Sequence, residues 1–173
     1  MFAKIDKLET DRYLIRSLLE SDYDALFRAA SDPAIWAMHS EVLRYQKEGF
    51  RVYFDKIMSL EAPLVIVDKA NSQIMGSSTF YEYSPKEAKV LLGYSFLETK
   101  YWGGSPNLEI KRCLVNFALR FVKTVEFEIS PNNLRSRRAA EKIGAVYDRH
   151  TEKSAPNGTK LERCVYKISD PIA

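Results

Sequence analysis

Apolar residues recur along the chain at two periods, and the switches between them mark its elements. Tyr13 to Leu18 is a short, largely apolar run and predicts a first strand. Tyr23, Leu26, Phe27 and Ala30 then repeat at three and four, the spacing of one helical face. Ser21 or Asp22 is placed to cap that helix. Asp32-Pro33 stops it, because the residue before proline avoids the helical region. A second helix is expected over Lys47 to Leu60, with Phe50, Phe54, Ile57 and Met58 to one side. The period then shortens. Leu64 to Val67 is β-rich and closes on the turn Asp68-Lys69-Ala70-Asn71. Ile74 to Tyr83 and Lys89 to Leu97 continue it as an antiparallel meander. A long helix follows, Asn107 to Lys123, with Ile110, Leu114, Phe117, Ala118 and Phe121 on one stripe. After it come a strand (Val125 to Ile129), a helix (Asn133 to Ile143, ended by Gly144), and two strands, Ala145 to Thr151 and Leu161 to Ile168. Pro156-Asn157-Gly158 lies in the loop between those last two. Seven strands and four helices in this order predict a mixed α/β layer structure.

The length of 173 residues fits a single domain that can hold a core without staples. With 46% hydrophobic and 28% charged residues, the bulk of the chain is not disordered. Neither Cys113 nor Cys164 has a zinc-type neighbour, so no metal is expected, and two buried thiols are preferred over a single disulfide. The start, Met1 to Lys7, is mixed and charged rather than a signal peptide, and no apolar run approaches the roughly 20 residues of a membrane span. A cytoplasmic protein is expected. The net charge of +3 is too weak to imply a nucleic-acid partner.

Two strand-to-helix junctions carry the candidate chemistry. In the first, Tyr94 to Asn107, a strand runs into Trp102-Gly103-Gly104-Ser105-Pro106 and a helix begins. Glycines let a backbone approach a ligand closely, and a helix start offers free N–H groups to an anion. It is neither a Walker loop nor a G-x-G-x-x-G fingerprint, and a plain turn satisfies it equally well. In the second, Glu128 to Ala145, Asn132 or Asn133 caps a helix whose inward face takes Ser136, Ala140 and Ile143. Arg135, Arg137, Arg138 and Lys142 against Glu141 put +3 there, either a solvated face or a phosphate clamp.

Taken together these segments resemble the Gcn5-related N-acetyltransferase (GNAT) superfamily, in its branch of RimJ- and RimL-like ribosomal-protein N-terminal acetyltransferases. Leu8 to Arg16 with Asp22 and Ser31-Asp32-Pro33 resembles that branch's opening. Trp102-Gly103-Gly104-Ser105-Pro106-Asn107-Leu108-Glu109 resembles its W-G-x-G-x-x-x-E loop, and Asn133 to Ser136 through Lys142 to Ala145 its N-x-x-S … K-x-G-F ending. The chain departs from the pattern at Ser105-Pro106 and at Ala145. The resemblance implies a mostly antiparallel sheet with a V-shaped splay between its two central strands, and acetyl-CoA as cofactor. Phe96 and Leu97 would meet the pantetheine arm, and Trp102, Gly103, Gly104, Ser105 and Asn107 the pyrophosphate. Asn133 would contact the pantetheine side, Arg138 the adenosine phosphates, and Ser136 would protonate the leaving thiolate. The reaction would be direct attack by an amine, which needs a base. Glu98 is the first choice and Glu82 the second; Glu109 is read as structural, in the first helical turn. His39 falls where the family shapes its acceptor site and is read as a surface residue. Trp36, Met38, Tyr45, Phe80, Tyr81 and Tyr83 are candidates for an aromatic acceptor pocket. The acceptor stays open between protein N-termini and small amines, and a homodimer is an option. Two other classes stand beside this one: a non-catalytic acyl-CoA binder, and, ranked last, an RNA- or ribosome-binding module.

Overall fold

A computed structural model describes residues 2, 5–154 and 158–173. Met1, Ala3 and Lys4 of the charged start, and Pro156-Asn157 of the late loop, lie outside the described residues. The elements run β1 (Lys7–Glu9), β2 (Tyr13–Ser17), α1 (Tyr23–Ala30), α2 (Pro33–Trp36), α3 (Lys47–Met58), β3 (Ala62–Asp68), β4 (Gln73–Ser84), β5 (Lys89–Leu97), α4 (Pro106–Ala118), β6 (Thr124–Ile129), α5 (Leu134–Lys142), β7 (Val146–Ser154) and β8 (Lys160–Ile168). One eight-stranded sheet has the order β1-β2-β3-β4-β5-β6-β8-β7. Every pairing is antiparallel except β5 with β6.

Helices cover both faces, which is why β3 reads as a continuous apolar run. Leu64 and Ile66 join the core beneath α4 and α5. Val65 and Val67 join a second core beneath α1, α2 and α3, with Phe50, Phe54 and Trp36. Among the described residues the expected mixed sheet is present with eight strands and five helices rather than seven and four. The extra strand is β1, three residues too short and too polar to show a period. The extra helix is the single turn α2. Asp32-Pro33 ends α1 as expected and also starts α2: Asp32 Oδ1 accepts from the Ala34 N–H at 2.9 Å, and proline takes the first helical position.

Two expectations fail locally. Asp22 does not cap α1 with its side chain. Its buried carboxylate accepts from the Leu19 N–H and from both terminal nitrogens of Arg16, at 2.9, 2.7 and 2.8 Å. Helix α4 stops at Ala118 instead of Lys123, and Phe121, expected on its buried stripe, is half exposed. Cys113 and Cys164 are both free thiols. Among the described residues, no helix is long and apolar enough to cross a membrane, and no group of three or more His, Cys, Asp or Glu could hold a metal.

Candidate active site

The site begins where β5 and β6 stop pairing. Their parallel register covers only Lys89–Leu91 against Thr124–Glu126. Beyond Leu91, β5 keeps its β4 partner on one edge and leaves the other edge free. A bulge in the β4–β5 ladder falls at the same place, with Tyr94 at φ 49°, in the left-handed region. It turns the Tyr94 carbonyl out of the ladder to accept from the Tyr53 hydroxyl at 2.6 Å. Tyr53 in turn lies 2.7 Å from the Ser77 hydroxyl, and burial pushes its phenol up to about 12. Gly76 is required nearby, since a Cβ there would come within 2.1 Å of the Phe96 carbonyl oxygen.

Two cavities open on this gap. The first, about 400 Å³, is bounded by Phe96, Leu97, Trp102, Gly103, Gly104, Asn107, Asn133 and Ser136. These are eight of the residues singled out above, and the fold brings them together. Gly103 sits at φ 77°, with open space where a side chain would project. Asn133 caps α5, its Oδ1 accepting from the Ser136 N–H at 3.2 Å. Trp102 is pinned across the loop, its indole N–H donating to the Leu97 carbonyl at 2.9 Å, with the Arg135 guanidinium 4.3 Å from its ring.

Ser105-Pro106 does not obstruct this loop. Pro106 is the first residue of α4, where a missing N–H costs nothing. The Ser105 hydroxyl faces away, accepting from Arg12 Nη2 at 2.6 Å, and Ser105 does not line the cavity. Arg12 also donates to Glu109 at 2.8 Å, which fixes Glu109 as the structural residue it was read to be. Arg138 is exposed and lines neither cavity; Lys142 and Arg135 line the first in its place. The basic cluster is not a free face. Arg135 donates to the Ala34 and Ile35 carbonyls, and Arg137 to the Tyr166 hydroxyl and the Pro131 carbonyl. Ala145 is buried in the core.

The second cavity, about 480 Å³, opens among Trp36, His39, Arg44, Tyr53, Tyr81 and Tyr94. Of the aromatic candidates, Trp36 and Tyr81 reach it, whereas Phe80 and Tyr83 pack on Phe2 at 4.9 and 5.5 Å and Met38 and Tyr45 line neither cavity. His39 is half-buried and lines both cavities, not the surface position expected. Burial, then Arg44 and Arg163, push its imidazole down to about 3. Glu98 lies outside both cavities, with its carboxylate 2.9 Å from Lys100 Nζ. Glu82 does line the second cavity, but it is held by Lys153 at 2.9 Å.

The two cavities meet at Ser95, Asn107, Lys111, Asn133 and Ser136, which line both. Lys111 was missed from the sequence. It is 9% exposed and has no carboxylate partner among the described residues. Its ammonium group donates to the Ser95 hydroxyl at 2.7 Å and, more weakly, to Ser78 at 3.4 Å. Burial alone pushes it down to about 7. A signal was present: Lys111 shares a face of α4 with Val115 and Ala118, so a charge sits on a buried stripe.

Residues 12–146 match the family model described as Acetyltransferase (GNAT) domain. No curated protein matches the chain in sequence. Among solved structures, it resembles a GCN5-related N-acetyltransferase from Brucella melitensis (TM-score 0.83, 16% identity, 96% of this chain and 80% of that one). It also resembles a GNAT-family acetyltransferase from Bacillus anthracis (0.74, 20%, 94% and 98%). A third is RimL, the ribosomal L7/L12 alpha-N-protein acetyltransferase, in complex with coenzyme A (0.75, 13%, 97% and 100%). With the family model spanning most of its length and the splayed sheet in place, this chain belongs to the GNAT acetyltransferases.

Proposed function

We propose that the protein is an acetyl-CoA-dependent N-acetyltransferase that acetylates a primary amine by direct attack. The observation that carries this is the meeting of two cavities at the open end of the β5–β6 pair. One leads to a glycine loop and a helix start, the other to an aromatic and cationic chamber. Such a layout lets two ligands lie in adjoining cavities and meet along the residues the two share.

The residues present fit acetyl-CoA. The free edge of β5 at Phe96 and Leu97 can pair with an extended amide-bearing arm. The N–H groups of Gly103 and Gly104, the start of α4, Arg135 and Lys142 offer donors and charge to phosphates. Bound acetyl-CoA supplies a thioester carbonyl: the C–N bond forms, the C–S bond breaks, the amine loses a proton and the thiolate gains one. Ser136 lines both cavities, which supports it as the donor of that last proton. Lys111, poised between its two protonation states near neutral pH, is placed to take the first. Glu98, outside the cavities, is not given that role.

The test is calorimetric titration with acetyl-CoA and CoA, followed by thiol release with a panel of amines. Micromolar binding, roughly −8 kcal/mol, is expected. Gly104→Val should weaken it tenfold or more, because the added side chain fills the loop mouth and its Cβ meets Pro106 Cδ at 3.2 Å. No binding up to millimolar acetyl-CoA overturns the reading. Binding without thiol release from any amine would make the protein a non-catalytic acyl-CoA binder.

A further inference from the structure

The second cavity carries more positive charge than its own acids neutralise. Glu82 and Glu128 both pair with one cation, Lys153, at 2.9 and 2.8 Å. Glu41 is exposed and, among the described residues, has no cation within ion-pairing distance; its charge reaches Arg44 only from farther off. Arg44, Arg163 and Lys111 line the same space, and among the described residues none of them has a carboxylate within ion-pairing distance.

Arg44 is the most committed of the three. It is half-buried between rings, its guanidinium carbon 4.8 Å from the Tyr53 centroid and 5.5 Å from that of Trp36. Stacking of this kind fixes the plane of the fork and leaves its N–H edge to find acceptors. Among the described residues, the one polar atom it reaches is His39 Nε2, 3.2 Å from Arg44 Nη1. A neutral imidazole accepts at one nitrogen alone, and His39 Nδ1 also lies 3.0 Å from the Glu41 N–H, so Nε2 answers at most one of the N–H groups of the fork. A planar cation, half removed from water, positioned by aromatic walls and with the rest of its fork unanswered, is costly unless an oxyanion completes it. The cavity is of small-molecule size.

We propose, building on the acetyltransferase reading above, that the acceptor is a small amine carrying its own carboxylate, an amino acid, seated with that carboxylate on the Arg44 fork. The geometry then orders the ligand: carboxylate between Trp36 and Tyr53, amine toward the junction at Ser95 and Lys111. Arg163 lends long-range charge from β8, and neutral His39 shapes the wall without adding a competing cation.

The experiment uses the full chain with acetyl-CoA. Thiol release is measured for each standard amino acid and for the corresponding amide. At least one amino acid should exceed its amide in kcat/KM by on the order of 10- to 100-fold, the worth of a charge-assisted hydrogen-bonded pair. Arg44→Met should collapse that ratio to within a few-fold, and Arg44→Lys, a cation without the fork, should restore part of it. A parallel titration of the CoA-loaded protein with N-acetyl amino acids and their amides gives the same comparison without turnover. Equal use of acids and amides, a preference for polyamines, peptides or amino-sugar phosphates, or a ratio that survives Arg44→Met overturns the proposal. In each of those cases acetyl-CoA binding and thiol release still stand, so the acetyltransferase reading is judged separately. Failure to bind acetyl-CoA would sink both.

Discussion

The two ends of the β5–β6 pair bury charge in opposite ways. At the closed end, Glu126 on β6 is 5% exposed and fully answered. Arg149 meets it through two parallel bonds at 3.0 and 3.1 Å, Lys89 approaches to 3.5 Å, and Asp148 holds Arg149 from the other side at 2.6 Å. At the open end, Lys111 is almost as buried and, among the described residues, is answered by serine hydroxyls and the Phe127 ring and by no carboxylate. The strands are the same and the burial is similar. What differs is whether the strands pair. Where they do, charge closes a network that fixes the hinge of the V. Where they part, charge is left for something that enters the gap. A fold retains an uncompensated cation at some cost in stability, so the open end is where ligand chemistry is to be sought.

The largest expected effect lies at the closed end. Glu126→Ala removes one partner of a buried network and leaves Arg149 and Lys89 without it. Arg149 keeps Asp148 and Lys89 keeps Glu87, so the cost is that of the lost charge-assisted bonds, about 2–3 kcal/mol. Denaturant unfolding should show that loss, while the surviving folded fraction keeps its acetyl-CoA affinity. A loss under about 1 kcal/mol would mean that Asp148 alone holds Arg149, and the contrast between the ends would weaken.

Lys111→Met should act with the opposite sign on stability. The lysine titrates near 10.4 unfolded and near 7 in the fold. The unfolded chain therefore binds more protons between those values. This makes the protein gain stability as pH rises from about 7 to about 10, with the full penalty present below 7. Methionine fills the space without charge and should stabilise the protein by about 1–3 kcal/mol at pH 7, flattening that slope. The same change should lower kcat by about 100-fold or more, as expected for loss of an acid–base group. In the wild type, kcat/KM should rise with pH up to about 7 and then level, since only the neutral amine can take a proton. Methionine should abolish this step. If kcat/KM in the wild type shows no such step, Lys111 is not the base.

These contrasts separate what the sequence discloses from what it conceals. Periodicity disclosed the helices and most strands, because each buries one face against a two-sided sheet and so carries a regular pattern. The glycine loop and the α5 cap, narrowed to Asn132 or Asn133, were legible because turn and cap chemistry is local: Gly103 must take positive φ, and the capping asparagine needs only its own third neighbour. Residues that act by where they are brought were not legible. Glu98 follows the splayed strand and was favoured by proximity along the chain, yet the backbone turns there and sends it to Lys100. Arg44 lies in a short 3-10 segment with no period at all, and its meaning comes from Trp36 and Tyr53, on separate helices. Lys111 was hidden by the ordinary habit of lysine to be exposed, although its place on the α4 stripe already marked it.

The smallest effect belongs to Ser136, and it tests whether the junction works as a unit. Ser136→Ala leaves the α5 cap intact, because Asn133 accepts from the Ser136 backbone N–H and not from its hydroxyl. The helix should therefore stay formed, and acetyl-CoA affinity should remain within a few-fold. A neutral hydroxyl contributes about 0.5–1.5 kcal/mol, so turnover should fall by roughly threefold to tenfold. The double variant with Lys111→Met then decides between two pictures. If proton loss and proton gain are separate duties at one junction, both occurring in the same rate-limiting step, the two effects multiply. If Ser136 acts only through a network anchored on Lys111, the serine change should cost almost nothing once the lysine is gone. Steady-state rates for the four proteins at one pH above 7 are sufficient to tell them apart.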